Sequence, residues 1–135
     1  MVRNGHKKVL VVDDDAFIRT LLRAWLQESG YGVVTASDGQ QAIEQVKREK
    51  PDIVLLDLMM PNLDGYSVVK WLRRQEATHH LPIIILSADV RAHQKLVGLT
   101  VNGLISKPFD LEEVLDQVHE HAPLKRVAAG AVAEA

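Results

Sequence analysis

The stretch Ile53-Val54-Leu55-Leu56-Asp57-Leu58-Met59-Met60-Pro61-Asn62-Leu63-Asp64-Gly65 decides the fold. Four apolar residues run into an aspartate, Met60-Pro61 break the chain, and Asp64-Gly65 open a helix. A short apolar run bounded by turn signals predicts a buried strand. Desolvating a carboxylate in mid-strand is costly. Asp57 therefore belongs at the strand's C-terminal end, where water, a metal or a substrate reaches it. It is the candidate reactive group.

The same grammar repeats on both sides. Val9-Leu10-Val11-Val12 is a continuous apolar run rich in β-branched residues, suited to a parallel strand buried on both faces, and it ends in Asp13-Asp14-Asp15. Phe17, Ile18, Leu21, Leu22, Trp25 and Leu26 then recur at helical spacing until Gly30 and Gly32. Val33 to Ala36 predicts a second strand. Asp38 and Gln41 have capping-box spacing before a helix with Ala42, Ile43 and Val46 inside. After the Asp57 strand, a helix from near Asp64 buries Val68, Val69 and Leu72. Ile83 to Leu86 is the fourth strand and ends at Ser87. A fourth helix is expected over about Val90 to Val97. Gly103 to Ser106 is a short fifth strand ending at Lys107-Pro108. Asp110 and Glu113 repeat the capping-box spacing before Leu111, Val114, Leu115 and Val118. Five strands alternating with five helices imply right-handed crossovers and a parallel sheet covered on both faces.

Bulk properties limit the function classes. At 135 residues the chain is one domain with a real core. A formal net charge of −2 and a pI near 6.3 give no electrostatic case for direct nucleic-acid or membrane binding. Cysteine is absent, so disulfide and thiolate chemistry are excluded. No apolar run reaches the roughly 18 residues of a membrane span. Met1 to His6 lack a signal-peptide core. A soluble cytoplasmic protein is the expectation.

In open α/β sheets, ligands bind beyond the C-terminal strand ends. Those ends carry Asp13 and Asp14, then Asp57, Ser87 and Lys107. If the first and third strands are neighbours, three carboxylates converge. Like charges a few ångströms apart repel by several kcal/mol at an effective dielectric of about 20. Such a cluster needs a cation or raised pKa values. Oxygen donors without cysteine suit a hard ion, and Mg²⁺ takes one or two carboxylates plus waters and phosphate. Aspartate also serves as a nucleophile in aspartyl-phosphate formation. Lys107 and the Ser87 hydroxyl are then the groups that neutralise and hold phosphoryl oxygens.

Those motifs, VLVVDDD, DLMMPNLDG, ILSA and SKPF in this order and spacing, resemble the receiver domain of bacterial two-component response regulators. The resemblance runs from about Lys8 to His121 and looks like a stand-alone, chemotaxis-receiver-like member. It implies a flavodoxin-like, doubly wound five-stranded parallel sheet of order 2-1-3-4-5. It also implies a lead over residues 1–7, the receiver domain over 8–122, and a flexible tail or helical extension over 123–135. By this resemblance Asp57 is the phospho-acceptor. Asp14 is a direct Mg²⁺ ligand, Asp13 acts mainly through water, and the Met59 backbone carbonyl is a further ligand, with Mn²⁺ as an alternative ion. Ser87 is the hydroxyl switch, Lys107 the bridging cation, and Lys107-Pro108 the family's cis-peptide position.

Two positions depart from or modulate the family pattern. Three residues before the lysine, where the family usually has Tyr or Phe, stands Leu104, so an aromatic switch is absent there. Met59 cannot orient a water by a strong hydrogen bond, which predicts a long-lived phosphoryl group, while Asp89 borders the site and pulls the other way. Other residues take plain structural readings: Asp15 as a helix cap, Asp64-Gly65 as a helix start, Trp25 and Trp71 as packing aromatics, and the six histidines as no metal site.

The resulting expectation is a phosphorylation-dependent signalling module. It takes a phosphoryl group from a histidine kinase or phosphotransfer protein and acts on a partner in trans. Phe17, Ile18, Leu21, Pro108 and Phe109 form the expected kinase-side surface. A monomer or weak dimer is expected, and no enzyme beyond turnover of its own phosphoryl group. The alternatives are a degenerate receiver that binds partners without phosphorylation, and a small aspartyl-phosphate phosphohydrolase. The latter type needs a second aspartate where Met59 stands.

Overall fold

The apolar runs become the five central strands of a parallel sheet in the computed structural model, which describes residues 7–124. The elements are β1 (Lys8–Val12), α1 (Ala16–Glu28), β2 (Gly32–Ala36), α2 (Gly39–Glu49), β3 (Ile53–Asp57), α3 (Gly65–Arg74), β4 (Ile83–Ser87), α4 (Ala92–Lys95), β5 (Gly103–Ser106) and α5 (Leu111–His121). Strand order is β2-β1-β3-β4-β5. The strand order of the resemblance is therefore the observed one. In register, Val12 lies opposite Leu56, Asp57 opposite Leu86, and Ser87 opposite Ser106. The functional ends of β1, β3, β4 and β5 thus fall along one edge.

Alternation of side chains across the pleat divides the core in two. Leu10, Val12, Val54, Leu56, Ile83 and Ile85 face α2 and α3, meeting Ala42, Val46, Val68, Val69 and Leu72. Val9, Val11, Ile53, Leu55, Ile84 and Leu86 face the other way, meeting Leu22 and Leu26 of α1 and Val114 and Val118 of α5. Every residue of β3 and β4 is buried. Edge strands β2 and β5 are only half covered.

The caps decide where helices begin. Asp15 accepts from the Phe17 amide at 2.9 Å, Asp38 from Gln41 at 2.8 Å, and Asp64 from Ser67 at 2.9 Å. Each satisfies an orphan first-turn donor. The Asp38 box is displaced by one residue: the Gln41 amide oxygen takes the Ser37 amide at 2.9 Å. The expected Asp110–Glu113 box does not form, since Asp110 makes no side-chain cap bond. Glu112 and Glu113 instead put negative charge at the positive end of α5.

One further expectation is corrected. The fourth helix is four residues, Ala92–Lys95, rather than Val90 to Val97. Its cap residue Arg91 offers no side-chain acceptor, and Gly98 at φ +87° ends the turn that follows. Phe17 belongs to the helical repeat but not to the core; it is 71% exposed, while Leu22 and Leu26 are fully buried. The expected lead and tail lie outside the described residues over 1–6 and 125–135.

Candidate functional site

The loop between β3 and α3 holds its shape by close backbone approach. A Cβ on Gly65 would fall on the Asp57 carbonyl and lie 2.7 Å from the Leu58 Cα. Only glycine lets α3 begin directly against the end of β3. The Gly65 amide donates to the Leu58 carbonyl at 3.1 Å, and the Gly39 amide to Leu63 at 3.1 Å. Asn62, at φ +67°, donates its side chain to Asp38 at 3.0 Å. The loop is thereby pinned to the start of α2, and Asp57 is fixed at the sheet edge.

Asp13 is fully buried, and Asp57 and Ser87 are 4% and 2% exposed. Asp14 is exposed. Carboxylate oxygens of Asp13, Asp14 and Asp57 lie within 4.8 Å of one another. The Lys107 ammonium reaches Asp13 Oδ2 at 2.7 Å and Asp57 Oδ1 at 3.5 Å. Asp13 Oδ1 accepts from the Asp15 amide at 2.9 Å, and Asp57 Oδ1 from the Met59 amide at 3.3 Å. Ser87 Oγ accepts from the Asp89 amide at 2.9 Å. The peptide bond Lys107-Pro108 is cis. The Met59 side chain is 59% exposed and lines an open cleft of about 420 Å³ with Asp14, Leu58, Met60, Pro61, Asp64 and Tyr66.

Electrostatics follow from this crowding. Burial pushes the Asp57 carboxyl above its usual range, and the charges of Asp13 and Asp14 push the same way. Lys107 and the Met59 amide oppose them without winning. Burial pulls Lys107 down, but its hydrogen bond to Asp13 and the charges of Asp13 and Asp57 hold the ammonium above its usual value. One ammonium faces three carboxylates, so negative charge is left over. Three oxygen donors, two of them buried, fit a hard divalent cation.

The structure brings Asp13, Asp14, Asp57 and Lys107 together, with Ser87 at the neighbouring strand end. Residues outside the sequence reading also support the site. Arg19 donates to the Asp13 carbonyl at 2.8 Å and fixes the turn leaving β1. Lys95 pairs at 2.6 Å with Asp89, the residue read as bordering the site. Neither partner carried a motif, because both contacts depend on loop paths.

The family model described as "Response regulator receiver domain" matches residues 9–119. The chain belongs to the response regulator receiver family. It is 42% identical over 126 residues to the alkaline phosphatase synthesis transcriptional regulatory protein PhoP of Bacillus subtilis, covering 92% of this chain and 52% of that protein. It is 40% identical to the response regulator MprA of Mycobacterium leprae, covering 94% of this chain and 55% of that protein. This receiver chain thus spans about half the length of these curated relatives. Among solved structures, the chemotaxis protein CheY4 of Vibrio cholerae superposes with a TM-score of 0.80 at 31% identity, covering 86% of this chain and 98% of that one. The receiver domain of a Pseudomonas aeruginosa sensor histidine kinase gives 0.79 at 30% identity, covering 86% and 97%, and has a magnesium ion coordinated in its active-site cleft. Receiver domains as a family interact with histidine kinases or phosphotransfer proteins and generally bind Mg²⁺.

Proposed function

We propose that this receiver accepts a phosphoryl group on Asp57 and thereby changes its affinity for a partner. The observation that carries the reading is the partly neutralised carboxylate cluster, with Lys107 3.5 Å from Asp57 Oδ1. A carboxylate oxygen of Asp57 attacks the phosphorus of a donor phosphohistidine. The P–O bond forms as the P–N bond breaks, and the imidazole leaves with the electron pair. The product is an acyl phosphate on Asp57. The Lys107 ammonium moves onto a phosphoryl oxygen and remains beside Asp13, while the Ser87 hydroxyl donates to another. Asp13, Asp14, Asp57 and the Met59 carbonyl would hold Mg²⁺, with Mn²⁺ as an alternative, and the ion would supply charge neutralisation to the transferring group.

The kinase or phosphotransfer partner docks on the face where Phe17 is exposed beside Ile18 and Leu21, near Pro108 and Phe109. A 71%-exposed phenylalanine at the head of α1 supports that surface. Chemistry is confined to the chain's own phosphoryl group, so it is not an enzyme for a separate substrate. A cytoplasmic setting belongs to the same reading, and no helix among the described residues is long and apolar enough to cross a membrane.

Intact mass after incubation with acetyl phosphate and Mg²⁺ tests the reading. One phosphoryl adduct is expected on the wild type, and none with Asp57→Asn or with EDTA. An unmodified chain with the donor unconsumed would overturn it in favour of a binding module that works without phosphorylation.

A further inference from the structure

A hollow of about 540 Å³ opens at the far end of the sheet from Asp57. It lies between the last turns of α2 and α3, where Pro51 leads into β3 and Leu81 leads towards β4. The acceptor edge is at the opposite, C-terminal ends of those strands. Five residues per strand put about 16 Å between the two ends. Nothing in the phosphoryl chemistry uses this hollow.

Its lining is apolar at the base. Val46 and Pro51 are buried, and Leu81 is half-buried. Trp71 packs against the same core as Val46 and also lines the hollow. The remaining wall is held in place without a ligand. The Arg73 guanidinium takes the carbonyls of Thr78, at 3.4 Å, and Leu81, at 2.7 Å, and the Thr78 hydroxyl donates to the Leu72 carbonyl at 2.7 Å. A pre-formed wall lowers the cost of ordering on binding.

Two cations and no acid line the hollow. Lys47 Nζ lies 5.4 Å from the centre of the Trp71 ring. Lys50 ends α2 in the left-handed conformation, at φ 49° and ψ 60°, where glycine or asparagine is usual. Both lysines are exposed, and neither pairs with a carboxylate among the described residues. Glu49, which stands between them in sequence, is taken by Lys8 at 2.9 Å. The negative end of α2 accounts for a cation in its last turn. It does not account for an aromatic-walled cavity beside that cation.

A concave apolar site with a few convergent polar groups is the usual form of a small-molecule site, and this volume falls in its range. The Trp71 wall suits a flat hydrocarbon body. The lysines suit an anion at one end of that body, through charge-assisted hydrogen bonds. A cationic ligand would be repelled. We propose that the hollow between α2 and α3 binds a small planar aromatic carboxylate, with its ring against Trp71 and its carboxylate on Lys47 and Lys50. Binding there is independent of the state of Asp57.

The chain has two tryptophans, so the nitrogen-15-labelled full chain gives two indole N–H resonances, and Trp71→Phe assigns them. The probe is 2-naphthoate, titrated to millimolar concentration, with neutral 2-naphthylmethanol as its comparison. The Trp71 resonance is expected to shift and saturate while Trp25 stays in place. The alcohol is expected to bind about tenfold more weakly, and Lys47→Gln with Lys50→Gln to weaken 2-naphthoate by about the same factor, the scale of one charge-assisted hydrogen bond. An unchanged Trp25 resonance in that variant shows that it is folded. Asp57→Asn is expected to bind as the wild type does. A Trp71 resonance unmoved by 2-naphthoate would overturn the site, as would an equal shift of both tryptophans, which marks non-specific binding. Equal affinity for the alcohol, or undiminished affinity in the lysine variant, would overturn the assignment of a carboxylate ligand.

Discussion

Asp57 is held in a carboxylate cluster that makes its ionised form expensive. Its folded pKa is raised, chiefly by burial and then by Asp13. The sign follows: stability from this group is fully present below its unfolded pKa of about 4 and is lost as pH rises through the folded value. Without metal, Asp57→Asn is therefore expected to be more stable than wild type near neutrality, with the difference vanishing at acid pH. Urea unfolding at the two pH values measures it. Lys107 works in the opposite sense. Lys107→Met strands the fully buried Asp13 carboxylate without its 2.7 Å partner. A loss on the order of 3 kcal/mol is expected, because removing one partner leaves an uncompensated charge. Chemical denaturation of the metal-free variant checks this. Asp57, Asp13, Ser87 and Lys107 were legible in the sequence because each follows an apolar run. Asp89 was read at the border of the site, but its partner Lys95 was not, since it looks like any solvated lysine.

At the scale of elements, capping chemistry and apolar runs mark the starts well and the ends less well. Asp38 caps as its spacing predicts, and Asp64 caps the helix start read for it. α4 falls short because propensity alone does not sustain a helix with four residues and no side-chain cap, and Asp89 decides its position instead. The strongest unforeseen tie is Arg73 at the end of α3. Its guanidinium donates to the carbonyls of Thr100, at 2.8 Å, His79, at 3.1 Å, and Leu81, at 2.7 Å. It also reaches Asn102 Oδ1 at 3.3 Å, and that oxygen receives the Ile83 amide at 2.9 Å. Arg73 thus clamps the loops entering β4 and β5. Carbonyl acceptors leave no trace in a sequence, so no motif announces it. Arg73→Met is expected to cost about 2 kcal/mol, the scale of losing hydrogen bonds to a charged donor. Hydrogen exchange is expected to accelerate around residues 78–83 and 100–102.

For the whole molecule, the sheet explains why the acidic cluster exists. Placing β1 between β2 and β3 brings Asp13 and Asp14 beside Asp57, and β4 and β5 add Ser87 and Lys107 on the same edge. Alternating β and α segments were enough to read an α/β sheet from the sequence. The order of strands was not in the periodicity and entered through the resemblance. An excess of negative charge at that edge predicts metal-linked stability. Saturating Mg²⁺ is expected to stabilise the chain, by about 2.7 kcal/mol at one hundred times its dissociation constant. EDTA reverses the effect, and Asp13→Asn with Asp14→Asn abolishes it. A thermal unfolding series in Mg²⁺ reads the gain.

The most direct test locates the phosphoryl group itself. The chain is treated with acetyl phosphate and Mg²⁺, reduced with borohydride, and sequenced by tandem mass spectrometry. Borohydride converts an aspartyl phosphate to homoserine, so homoserine at position 57 and aspartate at 13 and 14 is the expected result. Homoserine at another aspartate, or at none, would contradict the assignment of Asp57 as the acceptor.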